Sequence, residues 1–378
     1  MGKDTDSKLD KTRLDGPRAL RLEEHPAAMR FVDSIFRPDN PGAMAKGYPH
    51  VLDKDNIENM RVIVKDGEVI SHTAVYLSTV MSRDLEFKMG GISAVGTHPD
   101  YRGQGLAGSV MRDCIEVMRD RGCHLSFLWT DLYDFYREFG YEPAGSFSMF
   151  KPDASVLSTA PTDCEVVDYI PEHLPEIIEI HDRESLRTVR TDKEYTTFFS
   201  LPRVRALVAV RGGSVSAYAV MGLGRDLRGF MHDWGGEPRD LLRLARELAA
   251  QSETDDFYIL APTCDNGFTR LLVDMVVPHA HMKLVMLNVI DVEGVSSIVS
   301  DHVSERLGMS FRIIQEETDV KIAVGSEEAD IDPPRMLANV LFGPEPPSTF
   351  LTGLSAETLS ALDQTLPIPL FIWGLDWV

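Results

Sequence analysis

A loop rich in glycine, Arg102-Gly103-Gln104-Gly105-Leu106-Ala107, separates two apolar segments of different periodicity. Before the loop, Leu85–Val95 is predicted to be a strand that ends at Gly96. After it, a helix is predicted from Leu106 to about Arg121, with Gly122 in the position of a helix C-cap. That helix is indicated by apolar residues spaced three and four positions apart, which are Val110, Met111, Cys114, Val117 and Met118.

A loop of this kind suits a phosphate group. The first turn of a helix has N–H groups without intrahelical partners and carries the positive end of the helix dipole, so it attracts anions. Gly103 and Gly105 let the backbone approach a ligand closely, and Arg102 can neutralise a diphosphate. The loop matches neither the GxGxxG pattern of dinucleotide-binding folds nor the GK[ST] pattern of P-loops. The alternative is a tight strand–helix turn that binds nothing.

The loop and its flanks resemble the GNAT N-acetyltransferase superfamily, whose signature [QR]-x-x-G-x-[GA] follows a splayed fourth strand. Arg102, Gly105 and Ala107 stand at the fixed positions of that signature. The resemblance implies acetyl-coenzyme A as co-substrate. It implies that the pyrophosphate is bound by backbone amides of Gly103, Gln104, Gly105, Leu106 and Ala107. It also implies that the strand end pairs with the pantetheine arm and offers an N–H to the thioester carbonyl, through Ala94, Val95 and Gly96.

A narrower resemblance lies downstream, in Leu128-Trp129-Thr130-Asp131 and Phe135-Tyr136-Arg137-Glu138-Phe139-Gly140-Tyr141. These segments are similar to the enhanced-intracellular-survival family of bacterial acetyltransferases, which have an active GNAT domain, a degenerate GNAT domain and a domain like sterol carrier protein. The expected fold class is therefore mixed α/β, with two tandem GNAT folds on central mixed β-sheets and a small α+β domain. The expected boundaries are a flexible tail at 1–16, the catalytic domain at 17–152, the degenerate domain at 153–290, and the sterol-carrier-protein-like domain with a buried C-terminus at 291–378.

The order of elements in the middle of the chain repeats coarsely. A hairpin at Ala206–Gly222, a strand at Gly229–Trp234 and a helix at Asp240–Gln251 are predicted there. Gly235-Gly236-Glu237-Pro238 stands where a second phosphate-binding loop belongs. Because Glu237 and Asp240 would repel a pyrophosphate, this copy is predicted not to bind the cofactor.

Acetylation of an amine requires a neutral amine, a polarised thioester and a proton for the departing thiolate. The resemblance assigns that proton to Tyr136, with packing against the adenine or pantetheine as the alternative role. Tyr141 stands at a strand start and is expected to pack. In the resembled family the C-terminal carboxylate reaches into the active site. The resemblance therefore implies that the carboxylate of Val378 orients the substrate and relays a proton. The alternative is a plain packed terminus.

Two further side chains are candidates for the site. Asp131, by its position in the downstream motif, is expected to line the amine pocket, and otherwise to cap a helix. His98 lies beside the loop and is a candidate base, although its neighbours face the cofactor.

Composition narrows the classes of function. The 38 Lys and Arg against 59 Asp and Glu give the protein a net charge of −21. This charge argues against a general nucleic-acid binder, which needs a basic face. It suits the attraction of a cationic substrate, and the alternative is an acidic surface without such a role. No apolar run is long enough to span a membrane, and the N-terminal residues do not form a signal peptide. No metal is expected, because His279 and His281 form a lone HxH and the cysteines fit no zinc spacing. The sparse cysteines indicate a reducing cytoplasm, and they are Cys114, Cys123, Cys164 and Cys264.

The predicted function is an acetyl-CoA-dependent N-acetyltransferase that moves the acetyl group directly to a primary amine. The acceptor is a small polycation, such as an aminoglycoside or a polyamine, or a lysine side chain. A non-catalytic acyl-CoA sensor is the second hypothesis, and Tyr136 together with the tucked terminus argues against it. A lipid carrier is the third, and the shortness of the last domain argues against that. The family resemblance implies a homo-oligomer, possibly a hexamer.

Overall fold

The computed structural model describes residues 14–264 and 266–378. Residues 1–13 of the predicted tail lie outside the described residues, and residues 14–16 begin a strand. The described chain forms two compact units. The first unit contains residues 14–77, residues 90–122 and Val378, and the second contains the described residues of 78–89 and 123–377.

The first unit consists of antiparallel strands with helices. Its strands are β1 (Leu14–Ala19), β2 (Met60–Lys65), β3 (Glu68–Ser82) and β4 (Leu85–Thr97), of which β3 and β4 each contribute residues to both units. Its helices are α1 (His25–Phe36), α2 (Ala43–Gly47), α3 (Pro49–Leu52) and α4 (Leu106–Asp120). Strand β1 pairs with β2 and β2 with β3, so Leu14 lies opposite Lys65 and Met60 lies opposite Ala74.

Helix α4 confirms the amphipathic helix that the sequence predicts. It ends at Asp120, and Gly122 just beyond it has a φ of 72°, the left-handed conformation that glycine adopts most easily. Its apolar side buries Val110, Met111, Cys114 and Met118. A Cβ at Gly90 of β4 would lie 2.1 Å from the sulfur of Met118, so the close packing of α4 on this strand requires glycine there.

The opposite side of the first unit contains its hydrophobic cluster. Helices α1 to α3 contribute Phe31, Met44 and Val51 to this cluster, and the strands contribute Val62 and Ala94 among others. Strand residues of alternating direction therefore face helices on both sides, which explains why β2 and β3 are buried over most of their length.

The second unit contains most of the remaining elements. Its strands are β5 (Leu125–Leu128), β6 (Glu142–Phe150), β7 (Glu165–Asp168), β8 (Leu186–Val189), β9 (Arg205–Arg211), β10 (Ser214–Leu223), β11 (Asp226–Gly236), β12 (Tyr258–Pro262), β13 (His279–Val289), β14 (Phe311–Glu316), β15 (Asp319–Val324) and β16 (Glu327–Ile331). Its helices are α5 (Tyr133–Arg137), α6 (Ala154–Ser158), α7 (Leu174–Asp182), α8 (Asp192–Phe199), α9 (Pro238–Ala250), α10 (Gly267–Asp274), α11 (Val292–Leu307), α12 (Leu337–Phe342) and α13 (Ala356–Thr365).

The main sheet of the second unit is mixed. Its strand order is β5-β13-β6-β12-β11-β10-β9-β7, in which β11 and β12 are parallel and the other pairs are antiparallel. Strands β14, β15 and β16 form a separate antiparallel sheet. These sheets with their surrounding helices confirm the mixed α/β class. Within the part of the chain that the structure describes, no helix combines the length and hydropathy needed to cross a bilayer.

The last residues of the second unit are buried. Trp373 is 1% exposed, and its indole N–H donates to the carbonyl of Leu186 at 2.8 Å. Its ring packs edge-on against Trp234 at 5.1 Å between ring centroids, and against Phe371 at 4.9 Å. The apolar character of this segment in the sequence is therefore used for packing.

Candidate functional site

The end of β4 departs from regular strand geometry. Ala94 has a φ of 51°, a left-handed conformation that is uncommon for any residue except glycine and that interrupts the extended ladder. Side chains of β3 hold the strand around this point: Nδ1 of His72 lies 3.0 Å from the carbonyl oxygen of Ala94, and the hydroxyl of Ser71 donates to the carbonyl of Gly96 at 3.2 Å. The interruption is thus fixed by side chains that come from the neighbouring strand.

The loop after β4 is organised by its own backbone and by Arg102. The backbone N–H of His98 donates to the carbonyl of Ile70 at 2.9 Å, and Nδ1 of His98 accepts from the N–H of Asp100 at 3.3 Å. His98 therefore has a local structural role. The Nε–H of Arg102 donates to the carbonyl of Thr97 at 3.2 Å, while the side chain as a whole is exposed.

Gly103 and Gly105 leave the backbone of the loop uncovered. Their φ values are 73° and 79°, and a Cβ at either position would meet no heavy atom within 4 Å. Gly105 is the N-cap of α4, and among the described residues no side chain caps this helix and no acidic residue stands in its first turn. Oε1 of the half-buried Gln104 also has no hydrogen-bond partner in the described chain. The start of α4 thus has no side-chain cap and lies next to two exposed glycines and a cationic side chain, an arrangement that suits an anion.

A second cation lies close to this loop. The Nζ of Lys65 is 3.4 Å from the hydroxyl of Tyr101 and 4.8 Å from the centre of its ring. Lys65 and Arg102 therefore place two positive charges near the start of α4, although the protein as a whole carries a charge of −21. The exposed carboxylate of Asp100 lies in the same loop, so these two cations are accompanied by one negative charge.

In the second unit, Gly235 and Gly236 are the last residues of β11 and lie opposite Tyr218 and Ala217 of β10. A Cβ at Gly236 would lie 2.3 Å from the carbonyl oxygen of Ser216, and one at Gly235 would lie 2.9 Å from Ile180. Asp240 is fully buried and pairs with Arg211 at 2.7 Å, so its charge is compensated. The repulsion of an anion that the sequence predicts for Asp240 is therefore reduced by this ion pair.

Val378 lies in the first unit and is half-buried. It packs against the hydrophobic cluster that contains Phe31. The same part of the unit adjoins the end of β4, because a Cβ at Gly96 would lie 3.6 Å from both Phe31 and Ile35. The first unit thus contains the predicted cofactor loop, the irregular strand end and the last residue of the chain.

Tyr136 lies in α5 of the second unit. It is 7% exposed, and burial raises the pKa of its phenol to about 12. Its ring packs edge-on against Phe135 at 4.9 Å and against Tyr141 at 6.1 Å. The hydroxyl of Tyr141 is fully buried and lies 2.6 Å from that of Ser126, which is consistent with the packing role expected for Tyr141.

Asp131 lines a cleft of about 450 Å³ in the second unit. The cleft is lined by residues of the segment around the start of α5 and by residues of β6 and β13. These are Trp129, Thr130, Asp131 and Tyr133, then Pro143 of β6, and Lys283, Leu284, Val285 and Met286 of β13. The ring of Trp129 packs against that of Trp377 at 4.8 Å between centroids. Tyr133 begins the short helix that carries Tyr136, so this cleft adjoins the helix of the predicted acid. The sequence did not indicate the roles of Trp129 and Trp377, because the two indoles lie far apart in the chain.

Among the described residues, no group of three or more histidine, cysteine, aspartate or glutamate side chains is arranged to hold a metal ion. His279 and His281 lie on the exposed half of β13, where the ring of His279 packs on Phe150 and Nδ1 of His281 lies 3.1 Å from the hydroxyl of Ser148.

Comparison with known proteins gives a matching family model and a related sequence. A family model described as an acetyltransferase (GNAT) domain matches residues 17–144. An aminoglycoside 2'-N-acetyltransferase from Mycolicibacterium fortuitum is 33% identical over 175 residues, which are 46% of this chain and 85% of that protein.

Solved structures are similar over nearly the whole chain. A GCN5-related N-acetyltransferase from Kribbella flavida has a TM-score of 0.67 and 14% identity, and the match covers 97% of this chain and 100% of that one. Eis1 from Mycobacterium abscessus has a TM-score of 0.60 and 14% identity, with 94% and 98% covered. At these identities the likeness establishes a shared fold.

The environment of His72 leads to a testable pH dependence. Because the carbonyl of Ala94 only accepts, Nδ1 of His72 carries the proton, and Nε2 is buried without a hydrogen-bond partner in the described chain. Burial lowers the pKa of His72 to about 4, whereas an unfolded histidine titrates near ~6.5. The unfolded state therefore binds more protons between these values, so His72 lowers stability as the pH falls through this window.

We expect His72→Asn, which keeps a donor near Ala94 but does not titrate, to weaken this dependence. The loss in free energy of unfolding between pH 7.5 and pH 5 should be smaller in the variant by about 2 kcal/mol. Urea unfolding at the two pH values measures it. Equal losses in the variant and the wild type would contradict the prediction.

Proposed function

Because the chain belongs to the GNAT acetyltransferase family and is an N-acetyltransferase, we propose that the loop from Arg102 to Ala107 binds the diphosphate of acetyl-CoA. The observation that carries this proposal is the open space above Gly103 and Gly105, at the start of a helix without a side-chain cap. Backbone amides from Gly103 to Ala107 would donate to the phosphate oxygens, and Arg102 would neutralise their charge.

The irregular end of β4 is proposed to hold the pantetheine arm. A strand interrupted at Ala94 no longer uses all its backbone groups within the sheet, so Val95 and Gly96 can pair with the amides of an extended ligand. An N–H there would polarise the thioester carbonyl as the tetrahedral intermediate forms. When bound, acetyl-CoA supplies the thioester carbon that the amine nitrogen attacks, and the C–S bond then breaks.

Tyr136 is proposed as the general acid. With a pKa of about 12 its phenol is protonated at neutral pH and therefore available to donate a proton to the departing sulfur, while the same burial makes it a weaker acid than a free tyrosine. The proton lost by the amine passes to the α-carboxylate of Val378, directly or through water. A free carboxylate has a pKa near ~3.5, so orientation of the amine is the larger part of its role.

The cleft with Trp129, Asp131 and Tyr133 is proposed as the acceptor site. A carboxylate beside aromatic faces attracts an ammonium group through charge and cation–π attraction. Lys283, the cation in the cleft wall, is paired with Glu345 at 3.1 Å, which reduces its repulsion of a cationic substrate. The acceptor class is a small polycation, such as an aminoglycoside or a polyamine, or a lysine side chain. The relative from Mycolicibacterium fortuitum, by its name, acetylates aminoglycosides.

The tandem layout remains part of the proposal. The succession of β9, β10, β11, α9 and β12, with β11 parallel to β12, supports a second GNAT-like domain at 153–290, which is proposed to bind no cofactor. The small sheet β14 to β16 with α11 to α13 supports a sterol-carrier-protein-like domain at 291–378, after a catalytic domain at 17–152. The proposal also includes a cytoplasmic location and a homo-oligomer, for which the family resemblance suggests a hexamer.

Reversing the charge of Arg102 tests the cofactor loop. We expect Arg102→Glu to weaken acetyl-CoA binding by about 10- to 100-fold, because a charge-assisted contact becomes repulsive. Arg119→Glu is the matched control, since it makes the same charge change at the far end of α4, ~20 Å away. Isothermal titration calorimetry measures both. Equal affinity in Arg102→Glu and the wild type contradicts the proposed loop.

Removing one hydroxyl tests the proposed acid. Tyr136→Phe is expected to lower kcat by about 100- to 10,000-fold, with acetyl-CoA binding unchanged. Tyr141→Phe is the control, because its hydroxyl is equally buried but is bonded to Ser126. Thiol release from acetyl-CoA with aminoglycosides, polyamines and lysine peptides is measured. A kcat in Tyr136→Phe equal to that of the wild type would reject Tyr136 as the general acid. Tight binding of acetyl-CoA without turnover in the wild-type protein would favour the acyl-CoA sensor.

Neutralising Asp131 tests the acceptor cleft. Asp131→Asn is expected to raise the KM for a polycationic amine by about tenfold, with little change in kcat, because it removes attraction present before and during the reaction. Asp134→Asn is the control, since Asp134 is exposed on the same segment and pairs with Arg137 at 2.8 Å. Steady-state kinetics at low salt measures the difference. If both variants change KM equally, general attraction by the acidic surface explains it.

A further inference from the structure

Strand β13 is paired along only part of one of its edges. On one side it pairs with β6 in an unbroken register that begins with His279 opposite Phe150. On the other side it pairs with β5, over residues 286–289. Within the described chain, no strand pairs with residues 279–285 on that second side. This free edge, residues 279–285, is about 20 Å long, which is enough for an extended segment of about six residues.

The free edge has few of the features that keep other chains away from exposed strands. Residues 279–283 are all exposed to solvent, and the pairing with β6 contains no bulge there. Residues 279–285 include no proline, and the ammonium of Lys283 is 3.1 Å from Oε1 of Glu345, so its charge is partly neutralised. Exposed edges are usually short, bulged or protected by charges and proline, because their unpaired N–H and C=O groups attract an extended chain. An edge without these features is suited to bind one.

The free edge leads into the cleft that is the proposed acceptor site. Strand β5 ends at Leu128, which lies opposite Met286, and Trp129 and Asp131 beyond it line the cleft. Residues 283–286 of β13 line the same cleft. An extended segment on the free edge therefore occupies the place that a longer β5 would take, and its backbone passes the cleft.

The lining of the cleft matches a lysine side chain of such a segment. Leu284, Val285 and Met286 provide apolar surface for the methylene stem of a lysine. The carboxylate of Asp131 and the ring of Trp129 attract the ammonium group at the end of the stem. The edge adds hydrogen bonds that a peptide backbone can use along its length, whereas a polyamine or an aminoglycoside has no such backbone.

We propose that the free edge of β13 binds an extended polypeptide as an added strand, so that a lysine of this polypeptide enters the acceptor cleft. The inference rests on the proposed function of the cleft, and it selects the lysine side chain from the acceptor classes named above. In the added strand, every second residue exchanges backbone hydrogen bonds with β13, and the residues between them direct their backbone groups away from it. Changes to single backbone amides of the acceptor should therefore matter at every second position.

Backbone methylation of a peptide tests this alternation. A heptapeptide with a central lysine is expected to have a kcat/KM about tenfold or more above that of Nα-acetyl-lysine amide, which carries the same side chain without the flanking residues. N-methylation of single amides should lower kcat/KM by about five- to tenfold at every second position, and by less than about twofold between them. Losses without this alternation, or no losses, would overturn the inference.

Two proline substitutions test the edge from the side of the protein. Neighbouring strand residues direct their N–H groups to opposite edges, so one of Ala280 and His281 donates towards β6 and the other towards the free edge. Of Ala280→Pro and His281→Pro, the variant that loses a bond to β6 should have the lower Tm. In the other variant, the ratio of kcat/KM for the heptapeptide to that for Nα-acetyl-lysine amide should fall by about fivefold or more. A ratio equal to that of the wild type would contradict the inference, and the methylated peptides test it independently of how these variants fold.

The outcomes separate this inference from the proposed function. Acetylation of small amines, with a heptapeptide no better than Nα-acetyl-lysine amide, would overturn the inference and leave the proposed function in place. A protein that acetylates no amine would contradict the proposed function. Fluorescence anisotropy of the labelled heptapeptides would then test the edge by binding alone, where the same alternation supports the inference and its absence overturns it.

Sedimentation velocity identifies a different occupant of the edge. If the proline variant with the wild-type Tm has a lower assembly mass than the wild type, the free edge pairs with a second copy of this chain. That result would overturn the inference, whereas an equal mass is the expected outcome.

Discussion

The attraction between an uncapped helix start and an anion is the interaction on which the proposed site depends. Helix α4 begins at Gly105 without a side-chain cap, and the two left-handed glycines keep the backbone open. An isolated helix end of this kind is left with unpaired donors, and a phosphate satisfies several of them at once. Helix α4 packs closely over Gly90 of β4, and β4 becomes irregular at Ala94. The start of α4 therefore lies just beyond the end of this strand.

The two units use buried polar groups in different ways. In the first unit, His72 is neutral and donates to the backbone at Ala94, so it shapes a strand end without adding charge. In the second unit, Arg190 is charged and binds two carboxylates. A neutral donor tolerates small movements of its acceptor, whereas a bidentate ion pair constrains both position and angle. This bidentate ion pair holds Asp376, which is the last residue of the turn Gly374–Asp376.

The sequence predicted the parts of the structure that have local signals. Helix α4 was placed to within one residue at its end, and Gly103 and Gly105 were identified from their spacing to Arg102 and Ala107. Strand β13 was missed, because residues 279–283 are exposed and show no alternation of apolar and polar side chains. The pairing of Arg190 with Asp376 joins positions 186 residues apart, and no local pattern contains such a contact.

The end of β11 has a consequence for how this segment can change over generations. Gly236 lies opposite Ala217, and a Cβ at Gly236 would lie 2.3 Å from the main-chain carbonyl oxygen of Ser216, an atom that every amino acid possesses. No substitution at position 216 removes that oxygen, so a side chain at position 236 requires β10 itself to move. A mutation of the Gly236 codon is therefore penalised by a backbone clash, whereas mutations at Gly103 and Gly105 are penalised only by the positive φ of those residues.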